Sequence, residues 1–411
     1  MWCVGGAIRD ALLGHPDLDW DLATSATPDE VAAVFGRRRT IPKGVKYGTV
    51  SVLDADRLAH EVTTFRRDVR TDGRHPEVEF GASLDEDLAR RDFTVNAIAY
   101  SPTRRLLYDP FGGRRDMDAR VIRAVGEPGA RMREDRLRAL RAIRFAARFG
   151  FTIDPPTWDA IRDSAAHLTR LSAERVAQEI EKTMDQVAEP SRAFALWRES
   201  GAFRVLIPDL EHVTDTTLRA LDCAARPGPA RRPGRRLIRI AILFSETNRA
   251  TALRIASRLR FSNPNAAWIA RLVERWRTIG VAITDALADG TVDDATVRRW
   301  VATIGRTDVA AFFHMASALW AAQRGDAPGM ASVPTAQAVH SLYRRSLRVA
   351  ARDPIDLRDL ALDGDDLRQA GIQPGPEMGK ILAALLALVV EDPRLNTRDR
   401  LMEEARRLRG R

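Results

Sequence analysis

Trp2-Cys3-Val4-Gly5-Gly6-Ala7-Ile8-Arg9-Asp10-Ala11-Leu12-Leu13, with Asp19-Trp20-Asp21 soon after, decides how this chain begins to fold. The first three residues read as a buried strand, the glycine pair as a sharp turn, and Ala7 to Leu13 as a helix. Such a turn aims free backbone amides at an anion, and glycine removes the Cβ that would hold a triphosphate at a distance. Arg9, one turn into the helix, would grip the same phosphates. On a strand, residues two apart face the same side, so Asp19 and Asp21 would present two carboxylates together while Trp20 turns toward the core. Two adjacent like charges need a cation between them. Oxygen ligands of this kind suit Mg2+, and paired metals activate an attacking hydroxyl and stabilise a leaving pyrophosphate. Either motif alone is often just a turn; their succession points to a nucleotide site.

Working outward, the chain to about residue 125 mixes helical stretches with β-like runs at Gly48 to Leu53, Ala59 to Thr64 and Val121 to Val125, and reads as α/β. From Glu134 onward apolar residues recur at spacings of three and four, as in Leu137, Leu140, Ile143 and Ala147, so the remainder reads as all-helical. Arg226 to Arg236, rich in Pro, Gly and Arg, predicts a linker, and a second break is expected around Arg324 to Val333. Pro374-Gly375-Pro376 introduces a late helix that ends in Ala383 to Val390.

Further candidates lie between these landmarks. Glu61, in His60-Glu61-Val62-Thr63-Thr64, is a third carboxylate for the metal, set against the plainer reading of an edge-strand glutamate. Arg66 to Pro76 is polar, charged and broken by Gly, which predicts a mobile loop at the edge of the site. In Arg90-Arg91-Asp92-Phe93-Thr94-Val95-Asn96-Ala97, Arg91 would bind triphosphate and Asp92 would accept from a ribose hydroxyl; Asp92 or Thr94 also reads as a helix cap.

The segment Glu134-Asp135-Arg136-Leu137-Arg138-Ala139-Leu140-Arg141-Ala142-Ile143-Arg144-Phe145 is the most informative. On one helix Asp135, Arg138, Arg141 and Arg144 follow each other at a spacing of three, opposite the packed side. A solvated basic face is the alternative. Cytosine and adenine each offer an exocyclic amine beside a ring-nitrogen acceptor, matching a carboxylate acceptor at Asp135 and a guanidinium donor at Arg138. Uracil and guanine reverse that order and would leave buried polar groups unpaired.

Composition bounds the rest. A chain of 411 residues exceeds one hydrophobic core, so about two to four compact units are expected. The net charge of +9 and pI near 10.2 suggest a polyanionic partner, RNA or DNA first. Only four of the 65 basic residues are lysine (Lys43, Lys46, Lys182, Lys380), a preference that genomic base composition explains equally well. Cys3 and Cys223 are the only cysteines, which fits a reducing cytoplasm and lacks metal-ligand spacing. The longest apolar run, Ile381 to Val390, is far short of a bilayer span, and no signal peptide is evident, so a soluble protein without a membrane partner is expected.

Gly5-Gly6-Ala7-Ile8-Arg9-Asp10, Asp19-Trp20-Asp21, Arg90 to Ala97 and Glu134-Asp135-x-x-Arg138 stand in the order and context of class II CCA-adding tRNA nucleotidyltransferases, which the chain resembles closely over about residues 1 to 185. Leu171-Ser172-Ala173-Glu174-Arg175 and Gly371 to Pro376 are looser similarities. The resemblance implies a polymerase-β-like α/β nucleotidyltransferase head at 1–125, then an all-α neck at 126–200, body at 201–325 and tail at 326–411, in a seahorse-like arrangement. It implies Asp19 and Asp21 as catalytic metal ligands for Mg2+, Gly6, Arg9 and Arg91 around the nucleotide, Asp135 and Arg138 reading the base, and Arg141 and Arg144 in support. The implied reaction adds C, C and A to tRNA from CTP and ATP, with no DNA partner. Enzymes adding only CC or only A, and bacterial-type poly(A) polymerases, share these motifs; an RNA-binding protein with a retired head would lack one of the two aspartates. Two departures stand out. The family usually has a helix and a fuller strand before its glycine pair, so an earlier start is expected, and the absence of any His-Asp dipeptide removes the phosphohydrolase domain of some relatives.

Overall fold

The computed structural model describes residues 1–15, 20–42, 44–70, 77–224, 233–290, 292–326 and 333–409. It divides into two compact units, Met1–Glu211 and His212–Arg411.

The first unit begins with strands β1 (Trp2–Val4), β2 (Asp21–Thr24), β3 (Thr40–Ile41), β4 (Thr49–Leu53), β5 (Ala59–Thr64), β6 (Arg66–Arg70), β7 (Glu77–Phe80), β8 (Ala99–Ser101) and β9 (Leu106–Tyr108). Seven of them form one mixed sheet in the order β3-β4-β5-β2-β1-β8-β9, and β6 and β7 pair separately. The expected loop from Arg66 is therefore a strand as far as Arg70, antiparallel to β7; residues 71–76 lie outside the described residues. Helices α1 (Gly6–Leu12), α2 (Pro28–Phe35), α3 (Leu84–Ala89) and α4 (Gly113–Asp118) join these strands.

Local chemistry sets the junctions. Thr27 and Ser83 each form a reciprocal cap with the glutamate three residues on, Glu30 and Glu86, which starts α2 and α3. Alternation along the strands sends Val50, Val52 and Val62 to one face, against Val31 of α2. Val4, Ala23, Ala97, Ala99 and Phe65 meet Leu88 of α3 in a second cluster. Gly5 sits at φ +75°, and a Cβ there would come within 2.5 Å of the Arg91 Nη1.

The same unit continues through β10 (Val121–Ile122), α5 (Pro128–Glu134), α6 (Leu137–Phe149), β11 (Thr152–Ile153), α7 (Pro155–Ser164) and α8 (Ala173–Gln186). β10 and β11 pair in parallel, and Arg123 bridges Asp116 of α4 to Asp154 at the head of α7. The single helix expected from Glu134 is interrupted: Asp135 is extended (φ −148°, ψ 107°), and its carboxylate accepts from the backbone N–H of Leu137 at 3.0 Å. A short polar side chain bonding nearby backbone competes with helix continuation, so α5 ends and α6 starts anew.

The second unit is helical among its described residues. Asp215–Cys223 packs on Val309–Asp326, and Arg249–Arg258 on Asn263–Arg275. The latter runs into a π-turn at Trp276–Gly280, where a Cβ on Gly280 would strike the Trp276 ring at 2.4 Å. Of the expected linker, Pro233 to Arg236 belong to the helix Pro233–Leu243, and the rest lies outside the described residues. The break around Arg324 is bounded by a helix reaching Asp326, and the late helix runs Pro376–Glu391. No helix among the described residues is long and apolar enough to cross a membrane.

Candidate active site

A cavity of about 390 Å³ opens over the sheet of the first unit. Its floor comes from β2, β5 and β4. In the parallel pairing of β2 with β5, Leu22 is opposite Val62, so Asp21 and Glu61 are neighbours on adjacent strands and share the other face. Both carboxylates are exposed and line the cavity. Beside them Thr49 and Thr63 bring their Oγ1 atoms to 3.1 Å. Asp19 lies outside the described residues, and β2 starts only at Asp21, with Trp20 just before it.

One wall carries paired cations. Asp87, 2% exposed on α3, accepts from Arg90 Nε at 3.1 Å and from Arg91 Nη2 at 3.4 Å. Burial pushes the Arg91 guanidinium below its ordinary value, while the negative charges of Asp87 and Asp21 work the other way. Arg91 thus sits between two carboxylates, against Gly5. The sequence reading passed over Asp87. Its spacing of three and four from Arg90 and Arg91 was the available signal.

Asp92 is held on all sides. Its Oδ1 accepts from the Phe93 N–H at 3.0 Å and the Asn96 amide at 2.8 Å, and its Oδ2 from Arg141 Nε at 2.8 Å. Burial alone would raise this carboxyl, but the Arg141 charge, the Asn96 and Arg141 hydrogen bonds and the charge of Arg138 bring it down to about 2. Because the folded value lies below the ordinary 3.8, Asp92 contributes stability above about pH 4 that is lost as the pH falls toward 2. Asp92→Asn should therefore melt below the parent at pH 7, by the equivalent of about 2 kcal/mol, with the gap closing toward pH 2. An equal gap at both pH values would contradict this.

The opposite wall is the α5–α6 junction, which supplies Asp135, Arg138 and Arg141 to the cavity. Each is oriented by a partner that the sequence reading did not identify. Arg175 of α8 donates to Asp135 Oδ2 at 2.6 Å. Glu134 accepts from Arg138 Nη1 at 2.6 Å, and the Arg90 carbonyl accepts from its Nη2 at 2.9 Å. The Arg175 partnership spans 40 residues, beyond the reach of any local pattern.

Three expected nucleotide contacts fall elsewhere among the described residues. Arg9 is 4% exposed, bonded to Asp10 and Asn96, and stacked at 4.8 and 4.7 Å from the centroids of Phe145 and Phe149, so it lies under the glycine turn instead of in the cavity. Arg144 is likewise buried, with its Nε donating to Glu179 at 2.7 Å and Nη1 to Gln186. Gly6 opens α1 above the Arg9 side chain and does not line the cavity.

Three family profiles match: Poly A polymerase head domain at residues 1–123, probable RNA and SrmB-binding site of polymerase A at 150–213, and tRNA nucleotidyltransferase domain 2 at 249–405. Among curated relatives, the CCA-adding enzyme of Latilactobacillus sakei is 34% identical over 413 residues, covering 98% of this chain and 93% of the relative. That of Geobacillus stearothermophilus is 48% identical over 200 residues, 48% of either chain. The crystal structure of the Bacillus stearothermophilus CCA-adding enzyme in complex with CTP superposes with a TM-score of 0.74 at 31% identity, covering 100% of this chain and 93% of that one.

Proposed function

Since the chain belongs to the family of CCA-adding enzymes, we propose that it adds C, C and A to the 3′ end of tRNA from CTP and ATP, without a nucleic-acid template. The observation that carries this reading is one cavity in which Asp21 and Glu61, on the sheet, share a lining with Asp135 and Arg138 of the α5–α6 junction. In each cycle the RNA 3′-hydroxyl oxygen bonds to the α-phosphorus of the nucleoside triphosphate and gives up its proton to solvent, the bond from that phosphorus to the oxygen bridging to the β-phosphate breaks, and pyrophosphate leaves with the electron pair.

Asp21, with Asp19 and Glu61, offers hard oxygen donors of the kind that hold Mg2+. The described residues contain no group of three candidate ligands close enough by themselves, so this set depends on Asp19. Bound there, Mg2+ would make the attacking hydroxyl a better nucleophile and stabilise charge on the departing pyrophosphate. Arg91 offers a cation to the triphosphate. Asp92, fixed by Asn96 and Arg141, lines the same cavity and would meet a ribose hydroxyl by giving up part of its Arg141 contact, which favours ribonucleotides and an RNA acceptor over DNA. Asp135 accepts from the exocyclic amine of C or A, and Arg138 donates to the adjacent ring nitrogen. In this reading residues 1–125 carry the chemistry, 126–200 the base selection, and 201–325 and 326–411 hold the tRNA; the work is done in the cytoplasm.

The test is a tRNA ending just before CCA, incubated with labelled CTP, ATP or both, and its product ends sequenced. CTP alone should add two residues, ATP alone none, and the mixture a complete CCA. Long A tails from ATP alone would replace this reading with poly(A) synthesis. RNA affinity should also fall by orders of magnitude between low and moderate salt if roughly six to ten phosphates are contacted; a flat response would point to a small-molecule acceptor.

A further inference from the structure

A second cavity of about 390 Å³ lies between α5 and α7, on the other side of the α5–α6 junction. Consecutive residues divide the two: Asp135 lines the nucleotide cavity and Arg136 lines this one. The Arg136 side chain is anchored deep, with Nη1 donating at 3.1 Å to Oγ of Ser164, itself 1% exposed. Ser164 is a neutral partner that takes one of the guanidinium's five donors, and Arg136 lines the groove.

The charges that act most strongly on Arg136 are of one sign. Burial lowers its affinity for its proton, and the charges acting on it, Arg170 and Arg133, are both cations that lower it further. Three carboxylates share the groove. Glu127 is committed to the backbone N–H groups of Gly129 and Ala130 and to Arg133; Asp159 pairs with Arg162 at 3.8 Å; Asp163 is exposed. None of them is ion-paired with Arg136. A half-buried guanidinium kept beside two more, without a counter-ion, is stabilised by an external anion that can fork to it.

We propose that this groove is a phosphodiester subsite for the RNA acceptor, with Arg136 as its central donor and Arg133 and Arg170 beside it. The identity of the anion rests on the reading that the substrate is RNA: the nucleoside triphosphate occupies the cavity on the Asp135 side, so the anion here comes from the polynucleotide. A backbone phosphate held one residue away from Asp135 fixes the RNA strand relative to the base-reading pair and carries no sequence information itself.

The experiment measures binding of tRNA ending before CCA at several salt concentrations for the parent, Arg136→Gln and Arg136→Lys, together with KM for CTP and the melting temperature. Arg136→Gln should weaken tRNA binding about five- to tenfold and reduce the log–log salt slope by about one, with Arg136→Lys recovering most of the slope. KM for CTP should stay within about twofold, since a distant phosphate contact does not bind the nucleotide. Arg170→Gln, at an exposed position that leaves the Ser164 contact intact, should lower the slope in the same direction even if Arg136→Gln folds poorly. Unchanged tRNA affinity and slope in both glutamine variants overturns the proposal, and so does a raised KM for CTP with normal tRNA binding. If the parent itself neither binds nor extends tRNA, the RNA reading fails and takes this subsite with it; if the parent extends tRNA normally, a negative result removes the subsite alone.

Discussion

Asp21→Ala should reduce nucleotide transfer by about 10³-fold or more while tRNA affinity changes little, since electrostatic stabilisation at the reacting phosphate is worth several kcal/mol. Asp21 opens β2 with its carboxylate in the cavity, next to Glu61 and within reach of the charge of Arg91. Removing it takes one oxygen donor from the proposed metal set and leaves Arg91 with Asp87 and Asp92 as the carboxylates acting on it. A carboxylate offers nothing to an RNA phosphate, so binding and turnover should separate. Labelled CTP incorporation, measured beside filter binding of the same tRNA, checks both. Near-parental turnover in Asp21→Ala would remove Asp21 from the chemistry; a parallel loss of tRNA binding would make it a fold residue.

Asp135→Ala should raise UTP incorporation relative to CTP on the order of tenfold or more, since a lost bidentate reading is worth about 1 to 3 kcal/mol. The variant removes the acceptor for the exocyclic amine and leaves Arg138 able to donate to the carbonyl edge of uracil. Arg138 keeps Glu134 and the Arg90 carbonyl, so its aim survives the change. Arg175 loses a partner at 2.6 Å, and Asp135→Asn, which retains an acceptor oxygen there, controls for that loss. Competition assays with labelled CTP and UTP report the ratio. A folded, active Asp135→Ala enzyme that excludes UTP as strictly as the parent would show that this junction does not read the base.

The parts of this fold that were legible in the sequence are those set by local rules. Trp2–Val4, Thr49–Leu53 and Ala59–Thr64 are short runs rich in apolar and β-branched residues, the glycine pair marks a turn, and Pro376 marks a helix start. Charged Arg66 to Arg70 hides a strand because its pairing with Glu77 to Phe80 depends on a register that composition does not encode. The run from Glu134 to Phe145 reads as one helix until the Asp135 carboxylate finds the Leu137 N–H. For the candidate site, most of the residues named from sequence, among them Asp21, Glu61, Arg91, Asp92, Asp135 and Arg138, line one cavity, but the destinations of Arg9 and Arg144 were not legible. Arg9 and Arg144 carry the right charge for phosphate, yet Phe145, Phe149, Asp10 and Glu179 draw them into the core. The partners that orient Asp135 and Arg91 come from α8 and α3, through contacts that only the folded chain creates.

The Arg9 sandwich also bears on how freely this enzyme's parts can be exchanged. Family profiles divide the chain after residue 123, as though the head were a cassette. Physically, α1 and α6 are stapled: Arg9 lies between Phe145 and Phe149, and Asp10 receives Arg148 at 3.1 Å. A hybrid that joins this head to the neck of another relative inherits a buried guanidinium with its aromatic and acidic partners supplied by different parents. Recombination at that boundary should therefore cost stability unless both parents supply matching residues at Arg9, Asp10, Phe145, Arg148 and Phe149.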